Sequence, residues 1–290
     1  MRTLLLIDAH ALIYRFFYAL PPLSTPAGKP IQAIYGLSGT LIKILGGMKP
    51  DFAAVAFDRP EQTFRKAEFA DYKIHRPKAT DELIEQFTEA RKTFAVFGVT
   101  LFEKAGFEAD DLLGTLAQKF SAEPDLQVVI LSGDLDILQL VRGNRVIADI
   151  VKTGISNIAR YTEPEVVGRY GLPPQTLPDY KGLVGDTSDN IPGVPGIGPK
   201  TAQELLKDFA TLEGVFENLS IIKTAVAEKL AANKEKAFLS KRLATIDCHT
   251  PIDIPILEHL RMPPLDAARI APYLSSLGFQ SLIERLPPSP

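Results

Sequence analysis

The sequence has a single cysteine and no long apolar run, and each shortage excludes a class of protein. With only Cys248, no disulfide framework can form within the chain, which fits a reducing cytoplasm. No stretch approaches the roughly twenty apolar residues of a membrane span. The first apolar run, residues 4–7, is too short for a signal peptide. We therefore expect a soluble, cytoplasmic protein that has no membrane partner.

Zinc-ligand spacing and a net positive charge are missing as well. The four histidines do not have the spacing of zinc ligands, and the formal net charge is −3. Contact with nucleic acid would therefore have to rest on a local basic patch. With 290 residues, 46% of them hydrophobic, and with 16 Phe and 8 Tyr, the chain can bury one large core or two modest ones.

Three short apolar runs each lead to an aspartate. Residues 4–7 end at Asp8 and residues 52–57 end at Asp58, while residues 128–131 lead through Ser-Gly to Asp134. Continuous apolar runs of this length are typical of parallel strands buried on both faces. Stretches with helical spacing lie between them, which predicts an α/β fold with a largely parallel sheet. Ligands of such sheets gather at the carboxyl ends of the strands, where these aspartates lie.

The character of the sequence changes near residue 172. We predict an α/β domain over residues 1–172 and a mainly helical domain over residues 173–290. The helical part contains a Gly/Pro-rich segment at residues 193–199, and the Pro-rich residues 286–290 indicate a tail or linker.

Nine acidic residues are candidate metal ligands. A single Asp or Glu is most often a solvated surface residue, and the chain has 35 of them, so isolated pairs mean little. The combination carries more weight, because three predicted strand ends bring an aspartate to one sheet edge. The nine are Asp8, Asp58, Glu108, Asp110, Asp111, Asp134, Asp136, Asp186 and Asp189.

Crowded carboxylates repel one another, so we expect cations to hold this cluster together. Oxygen ligands without His or Cys favour Mg²⁺ or Mn²⁺ over zinc. Two such ions, about 4 Å apart, would activate water and stabilise the leaving oxygen in an in-line phosphodiester displacement.

The sequence resembles a known family, the 5′-nuclease domain of bacterial DNA polymerase I within the flap endonuclease superfamily. The similarity covers essentially the whole chain in the family's order. The matching segments are LID (6–8), AFD (56–58), FR (64–65), YKIHR (72–76), FEADD (107–111), SGDLDILQL (132–140) and GDTSDNIPGVPGIGPKTAQELL (185–206).

The resemblance implies a PIN-like α/β nuclease domain followed by a helical DNA-binding region, and a two-metal site lined by the nine acids. It implies cleavage of DNA at 5′ flaps, nicks and 5′ ends in replication and repair, with a polymerase domain as a partner in cis or in trans. Two positions depart from the family pattern. Ala9 replaces the usual Gly, and Leu135 stands where a Lys commonly separates the two aspartates, which removes a positive charge near the metals.

The Gly/Pro-rich segment resembles the turn of a helix-hairpin-helix motif, although such a segment alone could be an ordinary interhelical loop. Glycines let the backbone approach a phosphate closely, and the N–H groups at the start of the next helix can face it. In the family a K⁺ ion can bridge this turn to a phosphate. The implied DNA-binding residues are Gly193, Gly196, Gly198, Lys200 and Thr201.

Residues 59–78 are locally basic and by resemblance form part of an arch over the active site. Lys73 and Arg76 are the implied catalytic residues, and Arg65 is an implied DNA contact. Tyr72 and Tyr14 could stack on bases or pack in the core.

Two other functions compete with a 5′ nuclease. A PIN-type ribonuclease would need neither the hairpin nor the basic segment. A catalytically silent DNA-binding module would gain nothing from nine mutually repelling carboxylates.

Overall fold

The core of the protein is a mostly parallel sheet. The computed structural model describes residues 1–152, 157–253 and 256–287. Over these residues the sheet has six strands in the order β3-β2-β1-β4-β5-β6, and only β6 runs antiparallel to its neighbour. The strands are β1 (Arg2–Asp8), β2 (Phe52–Phe57), β3 (Thr100–Glu103), β4 (Leu126–Ser132), β5 (Val146–Val151) and β6 (Ile158–Tyr161).

The predicted α/β fold with a largely parallel sheet is confirmed. β2 is buried at every position, and β1 is buried from Leu4 to Asp8. Alternate side chains of β1 enter two different apolar clusters, with Leu5 and Ile7 in one and Leu4 and Leu6 in the other. The sheet is therefore covered on both faces, which explains why its central strands are apolar without alternation.

Helices cover the sheet and then continue beyond it. In the parts of the chain with described structure, the α-helices are α1 (Ala9–Ala19), α2 (Gln32–Met48), α3 (Phe64–Glu68), α4 (Asp81–Phe97), α5 (Ala109–Phe120), α6 (Glu163–Tyr170), α7 (Leu177–Val184), α8 (Pro199–Phe209), α9 (Leu212–Glu217), α10 (Thr224–Ala232), α11 (Lys234–Ala244), α12 (Ala267–Ser276) and α13 (Gln280–Ile283).

Caps fix where several of these helices begin. The Thr80 hydroxyl accepts a hydrogen bond from the Leu83 N–H at the start of α4. The Asp8 carboxylate caps α1 in the same way, through the Ala11 N–H. A residue that ends a strand and caps the following helix is held in place from both sides.

The helical region has an apolar core of its own, but this core does not extend to the C-terminus. It is formed by side chains between Leu172 and Ala237. Ile246, Leu257 and Leu260 join one cluster against the sheet, and residues of α12 and α13 join the other.

Residues after about 246 pack against the sheet, although they lie beyond the predicted boundary at residues 172 and 173. The Met262 N–H donates to the Asp51 carbonyl, and Arg261 forms a β-bridge with Phe52 at the start of β2. A change in sequence character along the chain could not predict this return, because α12 and α13 directly follow a helical region.

None of the helices in the described ranges is both long and apolar enough to span a bilayer. Residues 288–290 of the predicted tail lie outside the described residues.

Candidate functional site

The carboxyl ends of β1, β2 and β4 open into a cleft with a volume of about 570 Å³. Asp8 is the last residue of β1, and Asp58 directly follows β2. Asp134 is the second residue after the end of β4. Parallel strands carry these side chains to one edge, as predicted. The acids that line the cleft are Asp8, Asp58, Glu108, Asp110, Asp134 and Asp136.

Asp8 lies at the buried floor of the cleft and is only 5% exposed. One carboxylate oxygen accepts from the Ala11 N–H at 3.0 Å, and the other accepts from the Ser132 hydroxyl at 2.7 Å. Burial raises the pKa of Asp8 to about 7, and the charges of Asp58 and Asp134 add to the rise. A bound cation would favour the ionised form of this carboxylate.

Asp110 is the clearest indication of a cation site. Its Oδ1 is buried and has no hydrogen-bond partner, whereas the neighbouring Asp58 Oδ1 accepts from the Ala109 N–H at 2.6 Å. Burial, followed by the charge of Asp111, raises the pKa of Asp110 well above its usual value. An unpaired buried carboxylate oxygen is costly unless a cation neutralises it. The donor set at this edge therefore fits a hard divalent ion.

Asp111 was predicted to be a metal ligand, and the structure gives it a different role. Its two oxygens accept from Arg65 Nη1 and Nη2, both at 2.7 Å, and they also accept from the N–H groups of Glu108 and Asp247. Asp111 is fully buried. It closes the capping box of α5 and holds an arginine, so its oxygens do not face the cleft.

The predicted DNA contact of Arg65 also disagrees with the structure. Arg65 is 1% exposed, and Nε donates to the Leu243 carbonyl at 2.9 Å while Nη2 donates to the Thr245 carbonyl at 2.7 Å. All of its nitrogens are engaged inside the protein. Arg65 therefore ties α3 to α5 and to the end of α11.

Tyr72 does not stack on a base in this structure. It is 4% exposed, and its hydroxyl lies 3.2 Å from Glu108 Oε2 and 3.3 Å from Asp189 Oδ2, where it donates to these carboxylates. Of the two alternatives left open by the sequence, packing is correct for Tyr72. The Tyr72 hydroxyl therefore links Glu108 to Asp189.

Lys73 and Arg76 both line the cleft, as the arch prediction requires. Lys73 Nζ donates to Glu108 at 2.8 Å, and Arg76 Nη2 donates to Asp189 Oδ1 at 2.6 Å. Although burial acts in the opposite direction, the charges of Lys73 and Arg65 lower the pKa of Glu108. Asp189 itself is buried and does not line the cleft.

Asp136 and Asp186 meet at a basic residue that the sequence analysis missed. Lys181 Nζ donates to Asp186 Oδ2 at 2.6 Å and also to Asp136 Oδ1. Burial, followed by the charge of Asp134, raises the pKa of Asp136 to about 6. Burial also acts to raise the pKa of Asp186, but the charge and hydrogen bond of Lys181 lower it to about 2. The only sequence signal was the five-residue spacing between Lys181 and Asp186.

The acids do not form one preassembled ligand shell. Among the residues with described positions, no three His, Cys, Asp or Glu side chains form a group ready to hold a metal ion. Metal ions are not the only positive charges expected in the cluster, because basic side chains pair with several of the carboxylates. These basic residues are Arg65, Lys73, Arg76 and Lys181.

Aromatic side chains on α1 extend the cleft away from the acids. Tyr14 lies between His10 and Tyr18, with ring centroids 6.3 Å and 6.4 Å away, and all three line the cleft. Tyr18 is 61% exposed, and the sequence analysis missed it. Its four-residue spacing from Tyr14 could have indicated a shared helix face.

The Gly/Pro-rich segment connects α7 to α8 and turns tightly. Gly193 has φ +60°, and a Cβ there would lie 2.3 Å from the Gly185 nitrogen, so only glycine fits. Gly196 has φ +81°, and its carbonyl accepts from Lys229 Nζ at 3.3 Å. Gly198 is the N-cap residue of α8, and Lys200 and Thr201 lie in the first turn of that helix.

The two residues that depart from the family pattern lie at the start of a helix and against an apolar cluster. Ala9 is the buried first residue of α1. Leu135 packs against the apolar cluster on one face of the sheet.

Two family models together match most of the chain. The model for the N-terminal, resolvase-like domain of 5′-3′ exonucleases matches residues 3–171. The model for the C-terminal SAM fold of 5′-3′ exonucleases matches residues 172–268.

Curated relatives agree with these matches. The chain is 43% identical to DNA polymerase I of Caldicellulosiruptor bescii over 98% of its length, but it covers only 33% of that relative. It is 37% identical to the 5′-3′ exonuclease of Aquifex aeolicus, covering 99% of this chain and 96% of that protein. The chain thus spans about a third of the polymerase relatives it matches and nearly all of the Aquifex protein.

Solved structures share the fold. The zinc-bound T5 5′-exonuclease matches with a TM-score of 0.70 at 20% identity, covering 98% of this chain and 96% of that one. The catalytic core of Rad2 in complex with a DNA substrate matches with a TM-score of 0.63 at 17% identity, covering 98% and 91%. Given the family models that cover residues 3–268 and relatives well above 30% identity, the chain belongs to the 5′-3′ exonuclease family of nucleases.

Proposed function

We propose that this protein is a structure-specific 5′ nuclease that hydrolyses DNA at 5′ flaps, nicks and 5′ ends, using two Mg²⁺ ions for which Mn²⁺ can substitute. One observation carries the metal requirement, namely the buried Asp110 Oδ1 without a partner beside the buried Asp8. Membership of the 5′-3′ exonuclease family supports DNA as the substrate, because the relatives of this chain include a DNA polymerase I and a 5′-3′ exonuclease.

Four acids would hold the first ion, because they come from the strand ends and from the start of α5. They are Asp8, Asp58, Glu108 and Asp110. Asp134 lines the same cleft and would support this group. Asp136, Asp186 and Asp189 would serve the second ion through water, as Mg²⁺ often retains several waters. When bound, the two ions would supply activation of a water and stabilisation of the leaving oxygen.

The chain's own groups would position the substrate. Lys73 and Arg76 line the cleft and would exchange part of their pairing with Glu108 and Asp189 for the scissile phosphate. Tyr14 faces the same cleft, where its ring could stack on a base. Asp111 contributes indirectly, by fixing Arg65 and the start of α5.

The hairpin would bind the duplex away from the cleft. The turn at Gly193 and Gly196 leads into α8, the N-terminus of this helix offers backbone N–H groups to a phosphate, and Lys200 adds a positive charge. Thr201 lies in the same turn of α8, and a K⁺ ion would bridge the hairpin to the DNA backbone. We further propose that the protein acts in the cytoplasm in replication and repair, with a polymerase domain in cis or in trans as its partner.

Cleavage of labelled substrates tests the proposal directly. The purified chain is incubated with end-labelled flap, nicked, single-stranded DNA and single-stranded RNA, with Mg²⁺ or with excess chelator. We expect metal-dependent cutting near the flap junction and little cutting of RNA.

Asp110→Asn should abolish cutting, whereas Asp125→Asn is the matched control. Asp125 precedes β4 at the opposite edge of the sheet, has φ +55° and is exposed, so Asn fits there. Undiminished cutting in chelator would refute the metal mechanism. Preferential cutting of RNA would favour a ribonuclease instead.

A further inference from the structure

Lys181 places an ammonium group between two carboxylates of the candidate metal site. Its Nζ donates to Oδ2 of Asp186 at 2.6 Å and also to Oδ1 of Asp136. The three side chains are between 17% and 19% exposed, so water screens their charges only weakly. Together they form a compact triad with one positive and two negative charges.

Two of the sheet-edge acids, Asp8 and Asp110, have no lysine or arginine partner among the described residues. The donors to Asp8 are a backbone N–H and a serine hydroxyl, and Asp110 Oδ1 has no partner. Lys73 pairs with Glu108 and lies 3.8 Å from Asp189, so it links the two halves of the site. Lys181 instead bridges two acids of the same half.

A packed helix carries this lysine. Lys181 reaches Asp136 from α7, a helix of the other part of the chain. α7 packs against α11, and its last turn is closed by the Gly185 N–H, which donates to the Lys181 carbonyl. The position of the ammonium group is therefore set by a packed helix.

We propose that Lys181 is a built-in counter-ion that competes with the second divalent ion for Asp136 and Asp186. This inference rests on the two-ion site of the proposed function. A divalent ion and an ammonium group within a few ångströms repel each other, so the ion must displace Lys181 or share its ligands. The free protein consequently binds one ion tightly at the sheet edge and a second ion weakly.

Binding of Mn²⁺ to the full chain without DNA tests this inference independently of cleavage. Titration calorimetry and the electron paramagnetic resonance signal of free Mn²⁺ give the number and affinity of bound ions. Lys181→Met should tighten binding of the weaker ion by about tenfold or more, because it removes the competing charge while keeping most of the side-chain length. The tighter ion should change little.

Two matched variants control for other effects of the substitution. Lys181→Arg keeps the positive charge and should leave the weaker ion weak. Lys119→Met removes the same charge at the exposed C-terminal end of α5, on the far side of the molecule from Glu108, and should leave both affinities unchanged. An equal change in Lys119→Met would show that only net charge matters, which would overturn the proposal.

Thermal melting gives a second readout. In chelator, Lys181→Met should melt below the parent, because Asp136 and Asp186 lose their common partner, and Mn²⁺ should raise its melting temperature more than that of the parent. If the methionine variant does not fold in chelator, Lys181→Gln replaces it, since glutamine keeps a hydrogen-bond donor without the charge.

The outcomes separate this inference from the proposed function. If the parent cleaves DNA only with metal but Lys181→Met binds Mn²⁺ as the parent does, the competition is refuted and the nuclease stands. Weaker Mn²⁺ binding in Lys181→Met would also refute competition, because Lys181 would then position the ligands. If the parent binds no Mn²⁺ and does not cut DNA, the proposed function fails.

Discussion

The two halves of the acidic site are built on different principles. At the sheet edge, Asp8 is held by a backbone N–H and a hydroxyl, and Asp110 keeps an unpaired oxygen. In the other half, Asp189 pairs with Arg76, and Asp136 and Asp186 share Lys181. Among the described residues, Asp8 and Asp110 of the first half have no lysine or arginine partner, although Glu108 pairs with Lys73. Each of the three acids of the second half has a basic partner.

This difference shows that a row of aspartates in a sequence does not define a single kind of site. Burial without a basic partner raises the pKa values of Asp8 and Asp110, so that half gains most from an incoming ion. In the other half, Lys181 and Arg76 already offset part of the negative charge before any metal ion binds.

The largest expected effect is on cleavage. Asp110→Ala and Asp189→Ala should each reduce single-turnover cutting of a flap by about 10³-fold or more, because both ions are needed in the transition state. Raising Mn²⁺ should rescue Asp189→Ala more than Asp110→Ala, since the second ion is held more loosely. Rapid-quench assays across Mn²⁺ concentrations measure this.

Flap binding provides the control for that experiment. Asp189→Ala should bind a flap about as well as the parent, or better, because it removes a negative charge near the phosphates. Equal rescue of both variants, or cutting at the parental rate by Asp189→Ala, would show that the two halves are assigned wrongly.

The next effect is on stability. Arg65→Met should lower the free energy of unfolding by about 3–5 kcal/mol, because it leaves the buried Asp111 carboxylate without its partner. Arg59→Met breaks an exposed pair with Glu61 and should cost much less stability, because water screens this pair. Urea unfolding measures both, and equal losses would contradict the burial argument.

A smaller effect concerns pH. The pKa of Asp8 is about 7 in the folded protein and 3.8 in its ordinary state, so the folded form keeps a proton that the unfolded chain loses between these values. The stability of the metal-free protein should therefore fall as the pH rises through this window. A divalent ion must displace the proton, so stabilisation by Mg²⁺ should grow in the same window.

Melting temperatures with and without Mg²⁺ at pH 5.5 and pH 8 check this expectation. The difference between the two conditions should be larger at pH 8 by a few degrees. Asp8→Asn should reduce this dependence on pH, and the part that remains comes from Asp110 and Asp136, whose pKa values are also raised. Asp186, with a pKa of about 2, titrates below this range. A larger difference at pH 5.5 would contradict the assignment of Asp8.

The smallest effect lies outside both halves of the site. Lys200→Ala should weaken binding of duplex-bearing substrates and reduce the slope of log K against log salt by about 1, as expected for one phosphate contact. Fluorescence anisotropy at several salt concentrations measures the slope. If affinity and slope stay unchanged, Lys200 does not contact a phosphate.

The sequence was sufficient to predict the sheet and where its acids gather. Apolar runs that end in aspartate identify buried parallel strands, and Asp8 and Asp58 lie where the runs end. Helical spacing between these runs is also a local feature, so helices between the strands could be predicted.

The partners of the predicted residues could not be read from the sequence. Asp111 and Arg65 look like a ligand and a DNA contact, yet they lie 46 residues apart in the chain and neutralise each other in the core. Lys181 reaches Asp136 across 45 residues for the same reason. Which basic side chain meets which acid depends on tertiary packing, and spacing along one helix or strand carries no information about it.

The return of the chain to the sheet after α11 has a mechanical consequence. Two separate crossings join the helical region to the α/β part, one before α7 and one after Thr245, and the second is fastened by Arg65. The helical region is thus held to the α/β part at both of its ends, and the ion pairs Lys181–Asp136 and Arg76–Asp189 join the two parts between these crossings. Trimming the chain from its C-terminus would damage the nuclease core before it reached the hairpin.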